Sequence, residues 1–509
     1  MKYIIGIDLG TTGVKSVLVD SEGKVCGSTT EEYPLITLKP GWAQQDPELW
    51  WQATAKGIAN LIKKTGINPS LICGVGLTGQ MHGSVFLDKN FRVLYPAILW
   101  CDQRTAKECE QINEIIGKDR IFEITCNPIL TGFQAPKILW LKNNVPDVFK
   151  NVEKVLLPKD YIRFCLTGEF ATDVSDASGT GLFDVKKRNW SLEILDKLRI
   201  PQIWFPECFE SIEITSKISK NAEKITGIPA GVPVVAGAGD QAAGAIGNGI
   251  TKEKVVSISL GTSGVVFAFS DRPFVDPAGR LHTFCHAVPY KWHLMGVMLS
   301  AGGSFRWFRD VLGKEEINKA RELGKDPYEI LVSLADEAPA GCDGLIFLPY
   351  LSGERCPYQD PDAKGVFFGI SLKTTKAHMT RSVLEGVSFG LKDSVEIMKE
   401  IGLPPGGDYR VSGGGGRSSL WCQILADIIG EKMVRLTSEE GPAYGAALLA
   451  GSGTGVFPDI ETTCEMFLSV KDRFIPDNKK SGIYNNIYEI YRDLYHNLED
   501  LFDRTARLF

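Results

Sequence analysis

Residues 5–14 read Ile-Gly-Ile-Asp-Leu-Gly-Thr-Thr-Gly-Val, and residues 256–265 read Val-Ser-Ile-Ser-Leu-Gly-Thr-Ser-Gly-Val. Six of the ten paired positions are identical. In both segments an apolar run enters a glycine- and threonine-containing turn and leaves it as a second apolar run, which is typical of a β-hairpin. The repeat predicts that each half of the chain begins a sheet in the same way. Convergence on a common turn sequence is the alternative interpretation.

The glycines of these turns give the pattern a chemical meaning. Gly10 and Gly261 let the backbone approach a ligand with no Cβ in the way, and the amide and hydroxyl groups beside them can point at one anion. Two such turns facing each other would hold a polyphosphate from both sides. The first copy has Asp8 where the second has Ser259, and a single carboxylate beside a triphosphate suits a magnesium ion. Taken alone, each turn is more simply a tight β-turn.

Composition excludes several classes of protein. The chain has 509 residues, of which 44% are hydrophobic and 23% charged, which is typical of a globular protein with two to four domains. The formal net charge of −6 has no long like-charge runs, so neither nucleic acid nor a membrane surface is an expected partner. The 12 cysteines form no Cys-x-x-Cys pair, which argues against zinc and disulfides. No signal peptide or apolar run of about twenty residues is present, which predicts a cytoplasmic protein.

Strand-like and helix-like segments alternate along the chain, which predicts an α/β fold. Apolar runs indicate strands near 71–77 and 255–260, whereas helical spacing marks 47–64, 379–398 and 483–509. The tyrosine-rich stripe of the last segment is interpreted as a core face. With the repeat, this order predicts two large lobes, the first over residues 1–250 and the second over residues 251–509.

Other glycine-rich segments differ from the common nucleotide-binding motifs. The ordinary P-loop pattern is absent, and the Gly-x-Gly-x-x-Gly at 74–79 is followed by a turn and a strand where a dinucleotide site needs a helix. The clusters at 413–418 and 441–447 offer bare backbone beside predicted helix starts. They could therefore accept a nucleoside.

Several polar residues have both a structural and a functional interpretation. Asp240 is well placed as a helix N-cap, and the same carboxylate could accept a proton as a catalytic base. His82 is either a satisfied structural group or a ligand of the site. Trp100 and Asp102 suit the C–H and O–H surfaces of a sugar, with an interior tryptophan beside a surface aspartate as the alternative. His282 and its neighbours lie among strand-forming residues, which makes a metal site there the weaker reading.

Together these segments resemble the FGGY family of carbohydrate kinases, which share a superfamily with actin, hexokinase and the heat-shock chaperone ATPases. The resemblance covers nearly the whole chain and is carried by residues 8–13, 239–241, 259–264, 365–386, 413–418 and 441–447. It implies an α/β fold of two ribonuclease H-like lobes of the actin-type ATPase, with a cleft between them. It also implies ATP and Mg²⁺ as cofactors.

The resemblance assigns roles to residues of both turns and of the late glycine clusters. Asp8 would face the metal. The ATP-binding residues would be Gly10, Thr11, Thr12, Lys15, Gly261, Thr262, Gly414, Gly415, Ser418 and Ala443.

Segments 80–83, 98–105, 157–161 and 347–355 are similar to family members that act on the open-chain ketopentose D-xylulose. The implied sugar-binding residues are Met81, His82, Trp100, Asp102, Asp240 and Gln241. Asp240 would remove the proton of the 5-hydroxyl, so that the product is D-xylulose 5-phosphate.

Two positions depart from the family pattern and bear on the substrate. Cys101 stands where Asn is usual, and Gln241 stands where Asn is frequent. Ribulose, gluconate or glycerol are the alternative acceptors. A non-enzymatic ATP switch of the actin or chaperone type is the more distant alternative, and a homodimer is compatible with the family.

Overall fold

The computed structural model describes residues 1–403, 406–437 and 441–508. The strands of the first half are β1 Tyr3–Leu9, β2 Gly13–Asp20, β3 Val25–Glu32, β4 Gln44–Gln45, β5 Ile72–Gly79, β6 Ser84–Leu87, β7 Val93–Ile98, β8 Lys154–Leu156, β9 Thr172–Asp173, β10 Phe183–Asp184, β11 Asn189–Trp190, β12 Cys208–Phe209, β13 Ile214–Lys217, β14 Pro233–Val235 and β15 Ala238–Gly239. Its helices are α1 Pro47–Thr65, α2 Ala106–Ile116, α3 Lys118–Thr125, α4 Gln134–Asn144, α5 Pro146–Phe149, α6 Pro158–Thr167, α7 Val174–Ala177, α8 Leu192–Leu198, α9 Lys220–Thr226 and α10 Asp240–Gly247.

The second half continues the alternation of strands and helices. Its strands are β16 Val255–Leu260, β17 Gly264–Ser270, β18 His282–Cys285, β19 Trp292–Met298, β20 Ile346–Leu348, β21 Val366–Phe368, β22 Asp408–Ser412, β23 Met433–Leu436 and β24 Val470–Phe474. Its helices are α11 Gly302–Leu312, α12 Lys314–Leu323, α13 Pro327–Asp336, α14 Lys376–Glu400, α15 Ser419–Ile429, α16 Gly441–Gly453, α17 Ile460–Phe467 and α18 Asn478–Ala506.

The repeated segments fold as the predicted hairpins, and each becomes the centre of a sheet. The first sheet contains the order β3-β2-β1-β5-β14, and the second contains β19-β17-β16-β22-β23. In both, the first three strands pair antiparallel and the central strand then pairs parallel with its other neighbour. Two sheets with one shared topology confirm the predicted pair of ribonuclease H-like lobes.

The long helices of the second half cover their sheet as the periodicity predicts. Helix α14 is buried along most of its length. Helix α18 buries its tyrosine stripe, which confirms a core face. The C-terminal Phe509 of the predicted helix lies outside the described residues. No helix in the described ranges is long and apolar enough to cross a membrane.

The glycine pattern at 74–79 lies within strand β5, and residues 84–87 form the next strand. The prediction of a turn and a strand after these glycines is therefore confirmed.

Helix α16 belongs by sequence to the second half but packs on the sheet of the first. A Cβ added to Gly6 of β1 would lie 2.0 Å from the carbonyl oxygen of Ala443, and one added to Gly76 of β5 would lie 1.9 Å from that of Ala446. Backbone therefore lies directly on backbone, with no room for a side chain between sheet and helix. The division of the chain at residue 250 stays a prediction, because α16 lies after that residue but packs on the first sheet.

This contact generates a prediction about stability. Gly76→Ala should lower the free energy of unfolding by about 1–3 kcal/mol, because the new methyl group must push α16 away from the sheet. Guanidinium denaturation followed by circular dichroism measures the loss.

The matched control is Gly482→Ala in helix α18, where an added Cβ meets no atom within 4 Å. Alanine is the better helix former, so this variant should be as stable as the parent or slightly more so. Equal destabilisation by the two substitutions would contradict the packing argument.

Candidate active site

Three parallel strands of the first sheet end at the same edge, and the predicted site residues lie at or just after their ends. Strand β5 pairs in parallel with β1 on one side and with β15 on the other. Asp8 lies near the carboxyl end of β1, Met81 and His82 follow β5, and Asp240 follows β15. Because ligands of open α/β sheets bind at the carboxyl ends of parallel strands, this edge is the expected place for a site.

Asp240 is the first residue of helix α10. The sequence interpretation of Asp240 as the N-cap is wrong by one residue, since Gly239 has the extended cap conformation. Burial raises the pKa of Asp240 to about 6, against the opposing effect of hydrogen bonds from Gln241. The carboxylate is therefore ionised at neutral pH and more basic than an ordinary aspartate, as a general base requires.

Asp240 lines a cavity of about 330 Å³ that lies between residues of both halves. This volume is within the range of small-molecule sites. The lining includes Asp240, Gln241 and Gly244 of helix α10, Ser259 of β16, the glycine segment Gly413, Gly414 and Gly416, and Arg435, Gly441 and Pro442. The cavity thus connects the predicted catalytic residue with the predicted nucleoside segment.

The predicted nucleoside residues divide into two groups. Gly414 lines the cavity. In contrast, Gly415 packs against Leu260, Ser418 caps helix α15 by accepting the backbone N–H of Trp421 at 3.2 Å, and Ala443 is fully buried beneath the first sheet. None of these three is among the residues that line the cavity, and their contact with a nucleoside stays a prediction.

The turn of the first hairpin is held by side chains from several elements. The amide of Gly10 donates to the carbonyl oxygen of Gly13 at 3.0 Å. Gln45 Nε2 donates to the carbonyl oxygen of Thr11 at 2.7 Å, and Trp100 Nε1 donates to Thr11 Oγ1 at 3.0 Å. The adjacent Thr12 is exposed. Trp100, predicted to contact the sugar, thus contacts the turn of the first hairpin.

The turn of the second hairpin is held by the start of helix α11. The amide of Gly302 donates to the carbonyl oxygen of Gly261 at 2.8 Å, and that of Gly303 donates to Thr262 at 2.9 Å. Arg306 Nη2 also donates to Thr262 Oγ1 at 3.1 Å. Sequence reasoning missed Arg306, because a single arginine on a helix carries no signal of its target.

Asp8 has the properties expected of a cation ligand. Its Oδ1 is buried and, within the described part of the chain, has no hydrogen-bond partner. Burial and the nearby Asp240 carboxylate raise the pKa of Asp8 to about 7, against the positive charge of Lys15. Lys15 stands directly opposite Asp8 in the β1/β2 pair. A bound cation would relieve this buried charge, so the donor fits the implied Mg²⁺.

His82 occupies a strained turn and has a defined protonation state. Its φ is 67°, a left-handed conformation that is uncommon for a residue with a Cβ. Burial and the positive charges of Lys137 and Arg355 lower the pKa of His82 to about 3, so the ring is neutral. Nδ1 lies 2.6 Å from the carbonyl oxygen of Gly179 and must donate to it. Nε2 is then left as a hydrogen-bond acceptor.

Lys137 holds this turn in place and is a second residue that sequence reasoning missed. Its side chain is fully buried, and Nζ donates to the carbonyl oxygens of His82 at 2.8 Å and Gly132 at 2.6 Å. The available signal was a lysine within the apolar residues 135–141, since a buried cation needs a specific partner.

The exposure of Trp100 and Asp102 contradicts the alternative interpretation of this pair. Trp100 is 38% exposed and Asp102 is 0% exposed, so an interior tryptophan beside a surface aspartate is wrong. The Asp102 carboxylate pairs with Arg104 at 2.7 Å and accepts the backbone N–H of Ala43 at 2.6 Å. These contacts give Asp102 a structural role, and its predicted contact with sugar has no support from them.

The histidine-rich segment forms strands, as predicted. His282 begins β18 and His293 lies in β19. Among the residues that the structure describes, no group of three or more His, Cys, Asp or Glu side chains is arranged to hold a metal ion. The twelve cysteines are all free thiols.

Two sheets of one topology, each with a hydroxyl-bearing hairpin turn, are the fold of actin-like ATPases and sugar kinases. The models of the N- and C-terminal domains of the FGGY family of carbohydrate kinases match residues 3–247 and 256–454. The chain belongs to this family.

Individual relatives are similar over nearly their full length. A xylulose kinase of Escherichia coli is 41% identical over 97% of this chain and 99% of its own. The solved structure of a ligand-bound xylulose kinase from Lactobacillus acidophilus is 29% identical, with a TM-score of 0.91 over 99% of this chain and 100% of that one. A gluconate kinase from the same organism is 30% identical, with a TM-score of 0.91 over 99% of both chains.

The cavity generates a prediction about nucleotide binding. A Cβ added to Gly414 meets no atom within 4 Å, so Gly414→Leu should fold normally while its side chain occupies space in the cavity. We expect the Kd for ATP to rise about tenfold or more, equivalent to about 1.4 kcal/mol. Isothermal titration calorimetry measures the change.

Gly406→Leu is the matched control, because an added Cβ there is equally unobstructed and Gly406 is not among the cavity-lining residues. Unchanged ATP affinity in a folded Gly414→Leu protein would show that the nucleotide binds elsewhere.

Proposed function

We propose that this protein transfers the terminal phosphoryl group of ATP to the 5-hydroxyl of D-xylulose, giving ADP and D-xylulose 5-phosphate. The observation that carries the proposal is the place of Asp240, a carboxylate of raised pKa in the cavity that also contains the glycine segment 413–416. The full-length similarity to xylulose kinases supports the acceptor.

Asp240 acts as the general base in this proposal. A sugar hydroxyl is a weak nucleophile, and its proton must leave as the new phosphorus–oxygen bond forms. The proton of O5 passes to the Asp240 carboxylate, O5 bonds to the terminal phosphorus, and the bond from that phosphorus to the ADP oxygen breaks. The electron pair of the broken bond stays with ADP.

The neighbouring side chains orient the acceptor. His82 Nε2 accepts a hydrogen bond from a sugar hydroxyl, and the Gln241 amide supplies both a donor and an acceptor beside Asp240. Met81 packs against Gly239, because a Cβ added to that glycine would lie 2.9 Å from Met81 Cγ. These residues give the acceptor one apolar and several polar contacts.

The two hairpin turns hold the phosphates. Gly10, Thr11, Thr12 and Lys15 approach the terminal phosphate from the first turn, and Gly261 with Thr262 approach the others from the second. Asp8 would hold a Mg²⁺ ion, which when bound neutralises phosphate charge.

Removal of the Asp240 carboxylate tests its role as the base. Asp240→Ala should lower kcat by at least about a hundredfold, because the O5 proton then loses its general base. A coupled ADP assay measures kcat, and calorimetry should show that ATP still binds. Near-normal turnover in this variant would remove Asp240 from the mechanism.

The pH profile provides an independent test. The base works only when ionised, so kcat/KM for the sugar should fall as pH drops through about 6, the value to which burial raises the Asp240 pKa. The residual activity of Asp240→Ala should lack this acid limb. A wild-type profile that is flat between pH 5 and 8 would contradict the assignment.

Gluconate is the second candidate acceptor, because the gluconate kinase of Lactobacillus acidophilus is as similar in fold as the xylulose kinase. A panel of xylulose, ribulose, gluconate and glycerol separates them, with the highest kcat/KM expected for xylulose. ATP turnover that no acceptor stimulates would favour the ATP-switch alternative.

A further inference from the structure

A cluster of buried charges lies beneath the segment that leads into Asp240. Lys159 Nζ contacts Asp160 Oδ1 at 2.6 Å, Asp173 Oδ1 at 2.9 Å and Asp176 Oδ2 at 3.5 Å, and the four side chains are at most 1% exposed. Arg163 is also fully buried. Lys159 and Arg163 are four residues apart on α6, so they share one face of that helix. The proposed reaction does not use any of these groups.

The cluster reaches the backbone of residues 235–239 at several points. Arg163 Nη2 donates to the carbonyl oxygens of Val235 at 2.7 Å and Ala236 at 2.5 Å. At the other end, Ser175 Oγ accepts the backbone N–H of Gly239 at 3.1 Å. Gly239 is the N-cap of helix α10, and Asp240 is the residue that follows it.

Ser175 is itself held by the cluster. Its backbone N–H donates to Asp173 Oδ2 at 2.7 Å, and its hydroxyl donates to the same oxygen. Since the hydroxyl proton is committed to Asp173, the Ser175 oxygen has its lone pairs free for the Gly239 N–H. Lys159, Asp173, Ser175 and Gly239 therefore form one continuous chain of contacts from helix α6 to helix α10.

We propose that Ser175 is a positioning residue for the Asp240 carboxylate, acting through Gly239 and anchored by Asp173 and Lys159. The inference rests on the proposed role of Asp240 as the base. A carboxylate on the first turn of a helix moves with its N-cap, and a shift of about 1 Å in a catalytic group can cost a hundredfold in rate. The buried charges fix that N-cap where a solvated loop would leave it mobile.

The test is Ser175→Ala, assayed with D-xylulose and ATP in the full-length protein. We expect kcat to fall about 10- to 100-fold while the KM for xylulose and the Kd for ATP change less than about threefold. Backbone hydrogen exchange in the peptide that contains Gly239 should accelerate, because its amide has lost its acceptor. A purely structural role for Ser175 would lower thermal stability without this separation of kcat from KM.

Ser211→Ala is the matched control. Ser211 Oγ donates to the same Asp173 Oδ2 at 3.4 Å, but it makes no hydrogen bond to Gly239. Its kcat should stay within about threefold of the parent. A kcat loss equal to that of Ser175→Ala would assign the effect to Asp173 alone and overturn the proposal.

If Ser175→Ala does not fold, Ser175→Thr and Ser175→Val replace it, since the two side chains have the same shape and differ in the hydroxyl. The Thr variant should have at least about tenfold the kcat of the Val variant, and equal values would overturn the proposal. Asp240→Ala tests the proposed base separately from the proposed positioning role of Ser175. Inactivity of that variant with full activity of Ser175→Ala would refute positioning by Ser175 and leave Asp240 as the base.

Discussion

The parallel pairing of β1, β5 and β15 is the constraint on which the site depends. Each strand ends at the same edge of the sheet, so Asp8, His82 and Asp240 all lie at that edge, although more than two hundred residues separate the first from the last. The cost of this arrangement is electrostatic. Two carboxylates come together in a poorly solvated cleft, where burial raises the pKa of both Asp8 and Asp240. In the proposed reaction Asp240 is the base, and Asp8 would hold the cation.

Much of the fold could be predicted because its information is local and repeated. The hairpins at 5–14 and 256–265 carry a strand period and a turn within about ten residues, and their similarity fixes the equivalence of the two sheets. The role predicted for Asp240 came from the family resemblance, because the local spacing alone favours the interpretation of this carboxylate as a helix cap. The error of one residue in its cap arose because Gly239 can adopt the cap conformation without a side-chain acceptor.

The missed residues depend on contacts that no local pattern records. Lys137 acts on His82 across 55 positions of the chain, and Ser175 acts on Gly239 across 64. Trp100 reaches Thr11 across 89 positions, so its indole contacts the turn of the first hairpin. In each case the residue type indicates a polar contact, but the partner is set by how the sheets and helices pack. The cytoplasmic location and a homodimer stay predictions, because contacts within one chain test neither of them.

Helix α16 gives the chain a topology in which sequence order and spatial order disagree. The carbonyl groups of α16 lie against Gly6 and Gly76. The strands that are synthesised first are therefore covered by a helix that is synthesised late. During translation that surface of the first sheet stays uncovered until residues 441–453 have emerged. A fragment that stops near residue 250 would lack α16 and would expose this surface of the first sheet to solvent.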